Sequence, residues 1–215
     1  GTGANVVYPL LGHTEYGWRF AGSDVDATAL AGADAIVRSN DLVQAITLRQ
    51  QRVRGQLFRG LVGADERFEI TLCNPPFHAS AADAARGNQR KHSNLGARRP
   101  APARAERPPR LNFGGQDSEL WCPGGEARFV SRMILESTDI AHQVLWFTSL
   151  VSKSAHLPRL RYELRKTGAV DVREIAMAQG NKQSRFLAWT FHSADARRTW
   201  WTRDAGGQRP TTKHG

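Results

Sequence analysis

A chain of 215 residues can bury one sizeable core and is short for two full domains, so one domain carrying a loop insertion is expected. Thirty Lys and Arg against twenty Asp and Glu give a net charge of +10, which favours a polyanionic partner, nucleic acid first, because each neutralised phosphate releases condensed counterions. Two cysteines without a CxxC pair, no His cluster at metal-ligand spacing, no apolar run near the ~20 residues a bilayer needs and no leader-like opening argue against a zinc site, a disulfide framework, a membrane span and export; a cytoplasmic protein without metal is expected.

In chain order, the sequence opens on Gly1-Thr2-Gly3-Ala4-Asn5, a glycine-rich turn with no strand ahead of it, which reads as the start of a fragment. Trp18 to Asp24 reads as a short buried strand ending on an acidic residue, and Ala27 to Ser39 as an Ala-rich helix anchored by Leu30 and Ile36. Ala45 to Leu48 is a weaker strand, and the stretch through Val62 is expected to hold a further helix. Phe68 to Cys73 (FEITLC) is a better strand that stops at Asn74-Pro75-Pro76-Phe77, since two prolines cannot supply ladder donors. From His78 to Gly115 periodicity is lost, and Ala97 to Arg110 is Pro- and Arg-rich sequence unable to form a core, so residues 78–115 are expected to be a flexible basic insertion.

Glu126 to Ser137 resumes as a helix after Pro123-Gly124-Gly125, and Gln143 to Val151 is an apolar, central strand. Leu157 to Thr167 is a basic helix closed by Gly168. Val172 to Met177 and Phe186 to Phe191 form a terminal hairpin, which completes a domain of residues 1–192; the tail 193–215, polar apart from Trp200 and Trp201, is expected to be poorly ordered. The alternation predicts an α/β fold with a mostly parallel, Rossmann-like sheet and a C-terminal antiparallel hairpin. Such sheets bind ligands at the carboxyl ends of their strands, where both GTGAN and NPPF fall.

The glycine turn lets backbone approach a ligand closely, because glycine has no Cβ and tolerates positive φ. Asp24, about twenty positions on and at the end of the next strand, is placed to accept from both ribose hydroxyls of a nucleoside cofactor. It could equally cap the following helix, a role open also to Ser23 or Asp26. A nicotinamide oxidoreductase would use the same layout, and NPPF decides between the two. The Asn74 side-chain oxygen and the carbonyl between Pro75 and Pro76 can both accept from one amine, while Phe77 offers a stacking face to a flat base. Two acceptors on an exocyclic amine favour its pyramidal, nucleophilic form, so the motif points to an amino-methyltransferase using S-adenosyl-L-methionine. Read structurally, Asn-Pro and Pro-Pro are ordinary turn formers.

The blocks GTGAN, VYPLLG, EYGWRFAGSD, TLCNPPFHAS, RKHSNLG, LNFGGQDSELWCPGGE, ESTDIAHQVLWFTSLVSK and MAQGNKQSRFLAWTF cover nearly all of Gly1 to Phe191. With them the chain resembles the bacterial ribosomal large-subunit RNA adenine-N6 methyltransferase F family, related to a eukaryotic small nuclear RNA methyltransferase. The resemblance implies a class I S-adenosylmethionine-dependent fold whose first strand is missing here, and a cofactor held by Gly1, Thr2, Gly3, Ala4, Asn5, Asp24 and Asn74. It implies catalytic roles for Asn74, Pro75, Pro76 and Phe77 on an adenine of 23S ribosomal RNA, free or in the assembling large subunit. RNA-facing roles follow for Arg90, Lys91, Asn94, Lys153, Lys182 and Arg185, in a protein acting as a monomer. The alternatives are a non-catalytic RNA-binding scaffold descended from a methyltransferase, or an amino-methyltransferase acting on DNA, on protein glutamine or on another RNA.

Overall fold

The elements in chain order are α1 (Val7–Tyr16), β1 (Phe20–Asp24), α2 (Ala27–Ser39), β2 (Ile46–Gln50), β3 (Phe68–Ile70) and α3 (Gly125–Ser137). They continue with β4 (Val144–Val151), a 3-10 turn (Ser154–His156), α4 (Leu157–Lys166), β5 (Asp171–Gln179), β6 (Lys182–Thr190) and α5 (Ala194–Arg198). This is a computed structural model, which describes residues 1–80, 82, 121–179 and 182–200. Among the described residues no helix is long and apolar enough to cross a membrane.

Helix α1 escapes the sequence reading because Pro9 and Gly12 both count against helix. Proline is tolerated in a first turn, where its missing N–H has no partner to lose. Gly12 is required by packing: a Cβ there would lie 2.4 Å from Cζ of Phe20, so the glycine lets α1 rest on the first residue of β1. Helix α2 has the expected bounds, because Asp26 caps it by accepting from the amides of Thr28 (2.8 Å) and Ala29 (3.4 Å). Strands β1 and β2 then pair in parallel from Phe20 opposite Ile46 to Asp24 opposite Gln50, over a small core of Val6, Ala33, Val37 and Ile46.

The helix expected before Val62 is replaced by turns, two of them at Gly55 (φ +93°) and Gly60 (φ +75°). Their backbone donors are satisfied from outside: Oε2 of the buried Glu136 accepts from the amides of Leu57 (2.8 Å), Phe58 (2.9 Å) and Arg59 (3.4 Å). Glu136→Ala would strand three N–H groups at once, and we expect a loss of about 2–3 kcal/mol, read as a lower urea midpoint with unchanged slope. At the end of this segment Glu66 accepts from Nη1 of Arg49 (2.7 Å) and from the Gly63 amide (2.7 Å). The Arg49 guanidinium and that amide hold its carboxyl at about 2, against an ordinary 4.5. A depressed carboxylate stabilises the fold above its unfolded value and loses that contribution as pH falls from about 5 towards 2. The thermal midpoint of Glu66→Gln should therefore decline less across that window than that of the unsubstituted chain, by a modest margin because the Glu66 side chain is 37% exposed.

The second sheet has the order β3-β4-β6-β5, with β3 parallel to β4 and β6 antiparallel to both β4 and β5. The described strands thus form two sheets, with parallel pairing for β1/β2 and β3/β4 and antiparallel pairing for β4/β6 and β5/β6, in keeping with an α/β fold that ends in an antiparallel hairpin. The larger core lies between β4 and β6 on one side and α3 and α4 on the other: Val130, Ile134, Val144, Phe147, Leu160, Leu164, Leu187 and Trp189 are all fully buried. Phe147 stacks on Trp189 at 5.7 Å, and the Trp189 indole donates to Oγ of Ser137 at 3.0 Å. The hairpin is longer than expected, with β5 and β6 paired from Asp171 opposite Thr190 to Gln179 opposite Lys182.

The expectation that order ends at His192 also needs correction. Ser193 caps α5 by accepting from the Ala196 amide (3.2 Å), Arg197 donates to the His192 carbonyl (2.8 Å) and pairs with Asp171 (3.1 Å), and Trp200 is 3% exposed. The Arg67 guanidinium lies 3.9 Å over the Trp200 ring, and His192 meets that ring edge-on at 4.9 Å. Composition reads as polar here because Arg197 and Arg198 dominate it, whereas in the folded chain Arg197 lies 5.2 Å over the Trp146 ring. Residues 201–215, with Trp201, and the Ala97 to Arg110 stretch lie outside the described residues.

Candidate active site

The glycine turn lies along β1 and is fastened to its carboxyl end. The Thr2 amide donates to the Ser23 carbonyl (2.6 Å), and the Gly3 amide donates to Oδ2 of Asp24 (3.0 Å). The other Asp24 oxygen accepts from the Asp26 amide (3.0 Å), and the side chain is almost wholly buried. A Cβ on Gly1 would fall 2.0 Å from Oδ2 of Asp24, so the close approach of turn to carboxylate needs glycine at that position. Since Asp26 caps α2, Asp24 is not the cap. It ties the glycine turn to β1, and a carboxylate with two lone pairs per oxygen keeps acceptor capacity beyond these two amides.

Val6 joins the turn to α1 and was missed in the sequence. It stands at φ +42°, a left-handed backbone costing a β-branched residue on the order of 1–2 kcal/mol, and its side chain is fully buried in the small core. That burial holds the strained residue in place. No side chain caps α1 behind it. A valine in the run Asn5-Val6-Val7 carries no mark of such a backbone, so only its position after a glycine turn could have raised the question.

The NPPF turn follows β3, which ends at Ile70 and not at the expected Cys73. Ladder pairing with β4 continues past the strand proper: the Thr71 amide donates to the Trp146 carbonyl (2.9 Å) and the Leu150 amide to the Cys73 carbonyl (2.8 Å). Pro75 and Pro76 are buried while Asn74 is exposed and Phe77 is 37% exposed. The rigid part of the motif is thus packed inward, and its polar and aromatic side chains face out. Burial pushes the thiol of Cys73, immediately before Asn74, up from its ordinary value.

Lys153 is exposed two residues beyond β4, and Arg185 pairs with Val151, the last residue of β4, so both stand at the carboxyl end of that strand. Lys182 opens β6 opposite Gln179. Arg90, Lys91 and Asn94 lie outside the described residues. A second residue missed in the sequence is Glu126, buried at the start of α3, whose carboxylate accepts from the Ser152 amide (2.7 Å) and the Lys153 amide (3.3 Å) and contacts Nδ1 of His156 at 2.7 Å. The signal for it was the Gly124-Gly125-Glu126 run itself, two flexible residues ahead of an acid at a helix start. Among the described residues no group of three His, Cys, Asp or Glu is placed to hold a metal ion.

With this geometry in view, comparison with known proteins gives a family. The profile described as "RNA methyltransferase" matches residues 1–193. The chain belongs to this family. Ribosomal RNA large subunit methyltransferase F of Pseudomonas entomophila (strain L48) is 56% identical over 203 residues, 94% of this chain and 63% of that protein. Its namesake from Pseudomonas putida (strain F1) is 57% identical over 200 residues, 93% and 62% of the respective chains. This member of the family thus spans 62–63% of the length of these curated relatives. Among solved structures, the hMettl16 catalytic domain in complex with MAT2A 3'UTR hairpin 1 superposes with a TM-score of 0.71 at 29% identity, over 90% of this chain and 63% of that one. The N-terminal domain of human METTL16 in complex with SAH gives 0.64 at 27% identity, over 90% and 60%. Both likenesses fit the α/β, class I methyltransferase fold expected for the family.

Proposed function

We propose that this chain is the catalytic part of an enzyme that transfers a methyl group from S-adenosyl-L-methionine to the exocyclic N6 amine of an adenine in 23S ribosomal RNA. The observation that carries the reading is the build of the two motifs: a glycine turn fastened to a buried Asp24 at the carboxyl end of β1, and NPPF beyond β3 with its prolines packed inward and Asn74 and Phe77 facing out. The family membership and the 56–57% identity to ribosomal RNA methyltransferases support the choice of RNA over DNA or protein.

The residues present fit a nucleoside cofactor. The glycine turn lies directly against the Asp24 carboxylate, with which a Cβ on Gly1 would collide, and that carboxylate is the acceptor for ribose hydroxyls, with Thr2, Ala4 and Asn5 of the same turn assigned to the cofactor. S-adenosyl-L-methionine, when bound, supplies an electrophilic methyl group. The chain's own part is positioning. Oδ1 of Asn74 and the carbonyl between the prolines accept hydrogen bonds from the two N–H groups of the amine, which draws the nitrogen lone pair out of ring conjugation and aims it, while Phe77 stacks on the base; the methylated nitrogen then loses one proton to solvent. Lys153 and Arg185, at the carboxyl end of β4, contact phosphates and fix register without reading sequence, and Arg90, Lys91, Asn94 and Lys182 extend that contact. An adenine in an RNA loop reaches such a site without the cost of leaving a duplex stack. We assign the substrate as 23S RNA, naked or in the assembling large subunit, and the setting as the cytoplasm, with the protein acting as a monomer.

The test is transfer of labelled methyl from S-adenosyl-L-methionine to unmodified 23S RNA by the full-length protein, followed by nucleoside digestion. Label recovered as N6-methyladenosine is the expected result. A folded protein that binds the RNA and transfers no label would leave the non-catalytic scaffold as the reading.

A further inference from the structure

One short stretch, Trp121 to Glu126, is bound both to the segment that leaves NPPF and to the loop after β4. On one side it is bound to the segment that leaves NPPF: His78 and Trp121 form a parallel bridge, the Cys122 amide donates to the His78 carbonyl at 3.0 Å, and a Cβ on Gly125 would lie 3.3 Å from the Ala79 nitrogen and 3.4 Å from its Cα. Gly124 (φ +85°) and Gly125 (φ +62°) make this approach possible, because only glycine adopts two left-handed conformations in succession without strain. On the other side the next residue, Glu126, holds the loop after β4 through the Ser152 and Lys153 amides. Its carboxylate is 1% exposed, stands in the first turn of α3 where the helix dipole favours a negative charge, and is matched by His156 at 2.7 Å.

From this we infer that Glu126 is a positioning residue for methyl transfer: it fixes the Ser152–Lys153 loop against the NPPF turn and so sets where a base held by Asn74 and Phe77 sits relative to an RNA backbone held by Lys153. The inference rests on the methyltransferase reading for its catalytic consequence and on the structure alone for the coupling of the two segments. The carboxylate touches no reacting atom. Its effect is geometric, and displacement of a reacting group by about 1 Å is enough to cost roughly 100-fold in rate.

The experiment uses the full-length protein and two variants, Glu126→Gln, which keeps the side chain's size and one acceptor oxygen, and Glu126→Asp, which keeps the charge. Methyl transfer to 23S RNA is measured for kcat and KM, and amide hydrogen exchange is followed over residues 74–80 and 149–156. Glu126→Gln should lower kcat about 10- to 100-fold with KM for S-adenosyl-L-methionine changed less than about threefold, and speed exchange in both segments, with partial recovery in Glu126→Asp. An unchanged kcat in a protein with faster exchange at 149–156 alone would overturn the inference and leave Glu126 as a local loop anchor. A loss of rate matched by an equal loss of folded protein in both variants would overturn it too. If the unsubstituted protein transfers no methyl, the methyltransferase reading fails, and the exchange comparison still decides whether the two segments are coupled.

Discussion

Asn74→Ala is expected to reduce methyl transfer by about 100- to 1,000-fold while the thermal midpoint moves little. The magnitude is that of losing one preorganised polar group directed at the reacting centre in a site whose power is mostly positional. The small effect on folding follows from where the residue stands. Asn74 is exposed, whereas the turn is held by the buried Pro75 and Pro76 and by the Leu150 amide on the Cys73 carbonyl, and none of these depends on the Asn74 side chain. Single-turnover transfer of labelled methyl, run beside a circular-dichroism melt, separates the two quantities. Asn74→Asp should retain more activity than alanine, since it keeps an acceptor, but less than asparagine, since a full negative charge alters the polarity at the amine. Transfer by Asn74→Ala within about threefold of the unsubstituted enzyme would remove NPPF from the mechanism.

The second large effect belongs to Asp24. Asp24→Ala takes the acceptor from the Gly3 amide and from the Asp26 amide together, and so unfastens the glycine turn from β1 as well as removing the ribose contact. We expect affinity for S-adenosylhomocysteine, measured by titration calorimetry, to fall at least about 100-fold, with stability down by roughly 2 kcal/mol for two amides left unpaired. Helix α2 should survive, because its cap is Asp26. Asp24→Asn separates the contributions: it can still accept from one amide, so stability should largely return while affinity remains reduced. If Asp24→Ala is destabilised yet binds the cofactor analogue unchanged, Asp24 is a fastener of the turn and not a ribose ligand.

What could be read in the sequence depended on whether a residue's partner lay nearby in the chain. Helix α2 has the bounds expected from its Asp26 cap and alanine-rich run, because cause and effect are a few residues apart, whereas β3 closes at Ile70, short of the Cys73 expected from the prolines. Helix α1 was hidden behind Pro9 and Gly12, whose justification is the ring of Phe20 eight residues beyond Gly12. The turns of residues 51–66 looked like a poor helix because the carboxylate that satisfies their donors is Glu136, more than seventy residues away. The start of the tail, residues 193–200, read as poorly ordered for the same reason, since Trp200 is buried against Arg67 and His192. In the candidate site, Asp24 and Asn74 were legible as motifs, while Val6 and Glu126 have roles defined only by tertiary contacts.

Helix α3 carries a buried carboxylate near each end, and both grip main chain: Glu126 takes the amides of Ser152 and Lys153, Glu136 those of Leu57, Phe58 and Arg59. An acceptor that binds peptide N–H does not read side chains. At all five positions these bonds are therefore indifferent to the side chain and broken outright by proline alone, which brings no N–H; what selects Leu57 and Phe58 is instead their packing against the larger core.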